Sequence, residues 1–176
     1  FVAATGGQKA LITARFPEII FVDIPFMEIT YPRDGNMVWH FTKKGPELLH
    51  SIWREHRVLK KLIEEKNITK VISDSRFGLW NKKVKSVFIT HQIEIQTPIF
   101  QSVVNAMNRW VMSKYDEVWI PDYEQKPGLA GSLSHPKNLA KHAKYIGPLS
   151  RFRKPDLRTV DLAWDAVALI SGPEPQ

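Results

Sequence analysis

Two short apolar runs of the sequence each end in side chains that can bind a ligand or exchange a proton. Asp74 and Arg76 follow the run 70–73, and His91 and Gln92 follow the run 86–90. Short apolar runs of this kind are typical of buried strands in parallel sheets. In open α/β sheets, ligands bind in the crevice outside the carboxyl ends of the strands. We therefore expect these four side chains to line one crevice.

Each of these residues has a functional and a structural interpretation. In the functional one, Asp74 accepts hydrogen bonds from a substrate hydroxyl and Arg76 faces an anion. In the structural one, the aspartate caps a turn and the arginine pairs with it or with solvent. His91 is the candidate catalytic residue, because an imidazole can take a proton from a hydroxyl near neutral pH. The alternative is a His91 buried in the core, with both ring nitrogens bonded to backbone groups.

Two glycine-containing segments complete the candidate site. Gly6 and Gly7 are predicted to form a tight turn after a first strand, and we assign them to the substrate-binding crevice. Near the other end, the segment SGPEPQ follows a predicted strand at 167–170. Its glycine and prolines predict a stiff donor-side loop that contains Ser171 and Gly172 and exposes Glu174. Because parallel strands end on the same side, these segments and Pro121-Asp122 should share one edge.

Strands alternate with helices along the chain, which predicts an α/β fold with a doubly wound, Rossmann-like parallel sheet. Pro46 at a first helical position opens the strongest predicted helix, 46–66, and Pro98 opens another. Residues 25–45 lack periodicity and are predicted to form a long excursion over the site. The remaining predicted elements are a helix at 8–16 and strands at 1–4, 19–24, 70–73, 86–90, 117–120, 144–146 and 167–170, with those at 71–73, 86–90 and 117–120 central.

Composition excludes several classes of protein. The 176 residues are 43% hydrophobic and 24% charged, a balance that is ordinary for globular proteins. There is no cysteine, which excludes disulfides and cysteine-bound metals and fits the cytoplasm. The net charge of +7 predicts an anionic partner such as a nucleotide, nucleic acid or an acidic membrane surface, or simply a basic, solvated face.

Metal and nucleic-acid binding are both disfavoured by the motifs. The six histidines form no HExxH pattern, and there is no Walker loop and no Asp-x-Asp pair to hold Mg²⁺. We therefore predict no metal and no resident cofactor. The aromatic and basic stretch 108–115 could suggest nucleic acid, but Trp110 and Val111 fall on an apolar helical stripe. Packing is therefore the favoured explanation, and we predict no nucleic-acid partner.

Several segments resemble the two-domain, twin-Rossmann (GT-B) glycosyltransferases, in the family 28-like group that includes the lipid-intermediate N-acetylglucosaminyltransferases of peptidoglycan synthesis. FVAATGGQKAL resembles a second strand and glycine turn, and ITHQ ends on the family's acceptor-side histidine, here His91. Gln92, Ile93 and Glu94 depart from the Glu-Gln-Asn that follows it there, so the peptidoglycan acceptor is not carried over. The likeness continues in YDEVWIPD, YIGPLSRF and VALISGPEPQ.

The resemblance implies an incomplete acceptor-side domain at 1–148, without the family's first strand, an interdomain linker at 149–161 and the start of a donor-binding domain at 162–176. It implies metal-independent transfer of a sugar from a nucleotide-sugar donor, such as a UDP-sugar, to the hydroxyl of a lipid-linked or carbohydrate acceptor. The fragment itself would be inactive. The location implied is the cytoplasm, with peripheral association at the inner face of the membrane as an option.

Two other functions remain open at this point. One is a non-catalytic Rossmann-like module that binds a nucleotide or another small anion. The other is a sugar-nucleotide epimerase, which would use the same twin-Rossmann architecture. A second α/β domain after residue 176 would favour the transferase or the epimerase over the binding module.

Overall fold

A computed structural model describes residues 1–25, 37–97 and 100–150. Three helices and four strands make up about half of this part of the chain. In chain order they are α1 (Gly6–Arg15), α2 (Met37–Lys66), β1 (Lys70–Asp74), β2 (Lys85–Ile89), α3 (Gln101–Met112), β3 (Glu117–Ile120), a 3₁₀ turn (Gly131–Leu133) and β4 (Ala143–Tyr145).

The four strands form one parallel sheet in the order β1-β2-β3-β4. The parallel α/β architecture expected from the alternation of strands and helices is therefore confirmed. One detail is wrong, because β1 lies at an edge of this sheet and only β2 and β3 are interior. The register aligns Asp74 with Ile89 and Ile89 with Trp119, so the carboxyl ends of the first three strands lie side by side.

The strands expected at 1–4 and 19–24 are reduced to a single parallel bridge between Val2 and Phe21. The tight turn expected at Gly6-Gly7 is also wrong, since both glycines form the first turn of α1. The side-chain oxygen of Gln8 explains the early start of this helix. It accepts a hydrogen bond from the Thr5 N–H at 3.2 Å, which satisfies a donor at the helix start.

Helix α2 begins at Met37, nine residues before the proline that was expected to open it. Pro46 therefore lies inside the helix, and residues 37–45, expected in the excursion, are helical. A helix of 30 residues has an amphipathic face long enough for packing to outweigh one interior proline. Asn67, with φ at 50°, ends the helix in the left-handed conformation that asparagine tolerates.

The two hydrophobic clusters lie on one face of the sheet. Alternate strand residues put Val71, Phe88 and Val118 on this face, where α2 and α3 both pack. The α2 cluster joins Leu59, Ile63, Val71 and Leu79, and the α3 cluster joins Phe88, Ile93, Val111, Met112, Tyr115, Val118 and Ile120. Helices were expected on both faces, and no described helix joins these clusters from the opposite side.

The apolar stripe predicted for α3 is only partly buried. Val111 and Met112 are buried as expected, together with two asparagines, Asn105 and Asn108. Trp110 is 55% exposed, so the expectation that it packs in the core is wrong. Phe100, Val103 and Met107 are exposed as well. The helix therefore presents an apolar ridge to the outside, while its asparagines serve the loop after β2.

Residues 151–176 lie outside the described part of the chain, and with them most of the linker, the donor-domain start and the strand at 167–170. The predicted helix start at Pro98 lies outside it too, as does most of the excursion. No helix of the described ranges is long and apolar enough to cross a membrane.

Candidate functional site

The carboxyl ends of β1, β2 and β3 carry the residues singled out in the sequence. Asp74 ends β1 with an exposed side chain, and Ser75 follows it in the left-handed conformation with φ at 54°. The Ser75 hydroxyl donates to Asp74 Oδ1 at 3.3 Å. This local bond holds the exposed carboxylate at the end of β1. Asp74 is therefore accessible from solvent at the carboxyl end of β1.

Arg76 lies two residues further on, where it is held by Glu55 of α2. Its Nη2 lies 2.8 Å and its Nε 3.2 Å from Glu55 Oε1, and Nη2 also donates to the Pro25 carbonyl. The side chains are only 17% and 9% exposed, so this is a largely buried pair. The second carboxylate oxygen accepts from the Gly78 N–H at 3.1 Å. This geometry matches the structural interpretation of Arg76, with Glu55 rather than Asp74 as its partner.

The backbone of Arg76 is fixed as firmly as its side chain. Its carbonyl accepts hydrogen bonds from the Ser73 hydroxyl at 2.7 Å and from the Tyr115 hydroxyl at 2.8 Å. Tyr115 lies in the α3 core cluster, and burial raises the pKa of its phenol above the ordinary value. The phenol therefore stays a neutral donor. The chain after β1 is therefore tied to α2 through Glu55 and to the segment after α3 through Tyr115.

His91 is exposed at the carboxyl end of β2, with no hydrogen-bonded partner for its imidazole among the described residues. The alternative of a His91 buried in the core, with both nitrogens bonded to backbone, therefore does not hold. Gln92 beside it is exposed too. The imidazole of His91 is therefore accessible to a ligand at the end of an interior strand.

The backbone under His91 is anchored by the buried asparagines of α3. Asn108 Nδ2 donates to the carbonyls of Gln92 at 2.9 Å and Ile93 at 3.2 Å. Asn105 bonds both the N–H and the carbonyl of Ile95, at 2.7 and 3.1 Å. Buried side-chain amides of this kind satisfy the N–H and C=O groups of irregular backbone, which lacks the hydrogen bonds of a sheet or helix. The backbone that carries the exposed histidine is therefore held in place, and its only trace in the sequence was a pair of asparagines within an otherwise largely apolar helix.

Asp122, after β3, organises the loop that follows it, whereas the sequence predicted only a turn at Pro121-Asp122 on the shared edge of the sheet. Its buried carboxylate accepts from the N–H groups of Tyr123, Leu129 and Ala130 at 2.6 to 3.0 Å, and from the Ser134 hydroxyl at 2.5 Å. Burial alone would raise the pKa of this carboxyl. The four donors outweigh burial and hold the pKa well below its usual range. Asp122 thereby folds the loop 123–134 around itself.

Ser134, His135 and Asp122 are neighbours without forming a catalytic triad. The Ser134 hydroxyl is fully buried, and the aspartate bonds to the serine instead of orienting the histidine. His135 Nδ1 lies 2.9 Å from that hydroxyl, and its ring stacks on Tyr145 with centroids 5.1 Å apart. A Cβ on Gly128 would lie 2.5 Å from the His135 ring, so the loop is closely packed. The cluster is structural.

The loop that Asp122 organises reaches back to the histidine. The carbonyl of Leu133 accepts from the N–H groups of Ile93 and Glu94 at 2.8 and 2.9 Å. Backbone hydrogen bonds therefore connect the segment after β2 with the loop after β3. A glycine- and serine-rich loop after a strand-ending aspartate was the available signal for this arrangement.

The predicted site residues are only partly brought together. Asp74 and Arg76 line a cavity of about 910 Å³ beside β1, whereas His91 and Gln92 are not among its lining residues. Gly6 and Gly7 lie in α1, and Ser171, Gly172 and Glu174 lie outside the described residues. Within the described ranges, no group of three or more histidine, aspartate or glutamate side chains is placed to hold a metal ion.

Comparison of the chain with protein-family models, with curated proteins and with solved structures gave no match.

Proposed function

We propose that this chain is the acceptor-side part of a metal-independent glycosyltransferase that uses a nucleotide-sugar donor. The observation that carries the proposal is the exposed His91 at the carboxyl end of an interior parallel strand, with the exposed Asp74 ending the neighbouring strand. Ligands of open α/β sheets bind at this edge. The resemblance of the strand-ending segments to GT-B enzymes supplies the reaction class.

In the proposed reaction, an acceptor hydroxyl attacks the anomeric carbon of the donor sugar and the nucleoside diphosphate leaves. His91 takes the hydroxyl proton, and Asp74 positions the acceptor through a hydrogen bond. Of the two interpretations of Arg76, the structural one enters this proposal. Its guanidinium is engaged by Glu55, so it shapes the edge rather than binding an anion. The donor would be held by the domain that we place after the linker.

The test is release of nucleoside diphosphate from a panel of UDP- and GDP-sugars by the protein carrying its donor-binding domain. His91→Ala should lower turnover about 100-fold or more, because it removes a general base. His50→Ala is the matched control, since His50 is also exposed but lies on α2. Turnover of the His91 variant equal to that of the control would refute the catalytic role.

Residues 1–176 alone should bind these nucleotide sugars weakly, with a Kd above about 1 μM, because the proposed donor site lies beyond them. Tight binding by this chain alone, with nothing transferred, would favour the non-catalytic nucleotide-binding module. Conversion of a nucleotide sugar to its epimer without an acceptor would favour the epimerase. These results separate the three functions.

A second proposal, peripheral membrane association, is favoured by the exposed apolar ridge of α3. The ridge consists of Phe100, Val103, Met107 and Trp110, and Trp110 is flanked by Arg109 and by the Lys114 ammonium 4.4 Å from its ring centroid. Apolar side chains beside cations suit an anionic lipid surface. Trp110→Ser should reduce co-sedimentation with phosphatidylserine vesicles, whereas Trp53→Ser on α2 should not. Equal loss in both variants would contradict it.

A further inference from the structure

Two large apolar side chains are exposed in the loop that follows β3. Tyr123 is 52% and Leu129 71% exposed, although both lie in the loop that the buried Asp122 organises. Their N–H groups donate to the same oxygen, Asp122 Oδ1, at 2.7 and 2.6 Å, so the two backbone nitrogens are close together. We refer to the Tyr123 and Leu129 side chains as the apolar pair.

The apolar pair stands on a rigid support. The carboxylate of Asp122, a residue that is fully buried, also accepts from the Ala130 N–H at 3.0 Å and from the Ser134 hydroxyl at 2.5 Å. Side chains that project from a preformed support contribute to binding without the entropic cost of first ordering the loop. Exposed apolar groups in this setting are therefore well placed to bind a ligand.

The support of the apolar pair is connected to the segment that carries His91. β2 and β3 are paired in parallel, so their carboxyl ends lie side by side. The Glu94 N–H donates to the Leu133 carbonyl at 2.9 Å, and the next residue, Ser134, donates to Asp122. The apolar pair and the exposed imidazole therefore belong to the same edge of the sheet.

The accessible charges at this edge are mostly negative. The ranges 74–80, 89–95 and 120–126 contain the ends of β1, β2 and β3 and the residues that follow them. Outside the Glu55–Arg76 pair and the buried Asp122, the acidic and basic side chains of these ranges are Asp74, Glu94, Glu124 and Lys126. A phosphate bound here would meet three carboxylates and one ammonium, and like charges repel.

The cations gather at the opposite edge of the sheet. The ranges that lead into the four strands are 67–70, 82–85, 114–117 and 141–144. Together they contain seven lysines and two acids, Asp116 and Glu117. A phosphorylated ligand would therefore be drawn to the amino ends of the strands and away from His91. The net charge of +7 thus gives no support to an anionic ligand at the candidate site.

The polar side chains at the carboxyl edge suit hydroxyl groups. Carboxylates such as those of Asp74 and Glu94 accept hydrogen bonds from hydroxyls, and the amide of the exposed Gln92 both donates and accepts. One face of a sugar ring carries C–H groups, which contact the negative face of an aromatic ring favourably. Ligand sites combine apolar contacts of this kind with a few polar groups that fix orientation.

The spacing of the strand ends suits a ligand with two sugar rings. Neighbouring strands lie about 4.8 Å apart, so the ends of β1, β2 and β3 span about 10 Å, the length of a disaccharide. A ring stacked on Tyr123 at the end of β3 can therefore be followed by a second ring at the ends of β2 and β1. His91 and Asp74 lie there.

We propose that the carboxyl edge binds a neutral carbohydrate of two or more sugar rings, with one ring stacked on Tyr123 and packed against Leu129. This carbohydrate is the acceptor of the transfer reaction. Its part as acceptor rests on the proposed function, whereas its binding at this edge does not. The carboxylates select against an acceptor with a phosphate or diphosphate group near the reacting hydroxyl.

Saturation-transfer difference NMR on residues 1–176 tests binding without transfer. The ligands are maltose, cellobiose, lactose and diacetylchitobiose, each paired with its anomeric phosphate. At least one neutral disaccharide should bind with a Kd below about 10 mM. Its phosphate should bind at least about tenfold more weakly, because its charges have the sign of the accessible carboxylates.

Variants of Tyr123 identify the stacking surface. Tyr123→Ala should weaken disaccharide binding at least about tenfold, whereas Tyr123→Phe keeps the ring and should bind like the parent chain. Trp53→Ala is the matched control, because Trp53 is an aromatic residue of similar exposure, 55%, on α2. These side chains are more than half exposed, so the variants should fold.

Turnover by the protein with its donor-binding domain separates this inference from the proposed function. Tyr123→Ala should raise the KM for the disaccharide about tenfold and leave kcat nearly unchanged, because it removes binding and keeps the base. His91→Ala should lower kcat instead. Disaccharide binding that depends on Tyr123, together with normal turnover of the His91 variant, would support the sugar site and refute the proposed catalytic role.

Three results would overturn the proposal. The first is the absence of a transfer signal from every neutral disaccharide at about 10 mM. The second is a phosphate that binds as tightly as its neutral partner, which would mean that the carboxylates do not select the ligand. The third is an equal loss of binding in Trp53→Ala and Tyr123→Ala, which would mean that the contact is not specific to this edge.

Discussion

Arg76 and His91 occupy equivalent places, each two residues beyond the end of its strand, yet the structure treats them in opposite ways. Arg76 is packed against α2 and bound to Glu55 and Pro25, whereas His91 is exposed with its ring unpartnered among the described residues. A position at the end of a strand therefore does not by itself show whether a residue has a functional role. The elements that pack over that edge of the sheet decide whether the residue is buried in the scaffold or exposed to a ligand.

The largest expected effect comes from breaking the Glu55–Arg76 pair. Glu55→Ala leaves a largely buried guanidinium without its carboxylate, which should lower the free energy of unfolding by about 3 kcal/mol or more. The measurement is urea unfolding. Glu64→Ala is the matched control on the same helix, because its pair with Lys83 is exposed and should contribute less than about 1 kcal/mol.

The same comparison can be made sharper with a double variant. Glu55→Leu combined with Arg76→Met replaces the pair with apolar groups and should recover most of the loss. Glu55→Ala could instead lower the free energy of unfolding no more than Glu64→Ala does. Arg76 would then not be held by Glu55 as the structure shows, and it would again be a candidate for binding an anion.

The next effect tests how closely α2 approaches the loop after β1. A Cβ on Gly78 would lie 2.4 Å from the Ile52 carbonyl oxygen and 2.7 Å from the Glu55 Cβ, so Gly78→Ala should destabilise the chain by about 2 kcal/mol. Gly45→Ala, a position inside α2 with no atom within 4 Å of the added Cβ, should stabilise by about 0.5 kcal/mol. Thermal unfolding of both measures the difference, and equal effects would contradict the close approach.

A smaller, pH-dependent effect belongs to Asp122. Because its folded-state pKa lies below the unfolded value near 3.9, its contribution is present in full above about pH 5 and is lost as the pH falls toward the folded-state pKa. Asp122→Asn should lower the Tm at pH 7 by about 4 °C and flatten its fall below pH 5. Glu124→Gln, in the same loop but exposed, is the control.

Asp122 also tests whether the edge of β2 rests on the loop after β3. In the Asp122→Asn variant, amide hydrogen exchange should rise at Ile93 and Glu94, whose N–H groups bond to the Leu133 carbonyl. Unchanged exchange at these two amides would show that the asparagines of α3 hold the segment without the loop.

The smallest expected effect on stability is that of His91→Ala. An exposed side chain without described partners contributes little, so the free energy of unfolding should change by less than about 0.5 kcal/mol. The measurement is again urea unfolding, with Glu55→Ala as the reference for a residue that the fold requires. A loss comparable to that of Glu55→Ala would mean that His91 is part of the scaffold as well.

The sequence by itself determined the parallel α/β architecture and the places where its strands end. The runs of β1, β2 and β3 are short, contain β-branched residues and alternate with helical patterns, which together favour buried strands, and these features are local enough to be recognised in the sequence. It also determined that Asp74, His91 and Asp122 lie at one edge of the sheet, since parallel strands share their direction.

Only the tertiary structure decided what these residues do there. Glu55 meets Arg76 across 21 positions, and Ser134 meets Asp122 across 12, so neither partner follows from local pattern. The burial of Asn105 and Asn108 in place of Phe100 and Trp110 was hidden for the same reason. A helical stripe shows which residues share a face, but long-range packing selects the face that is covered.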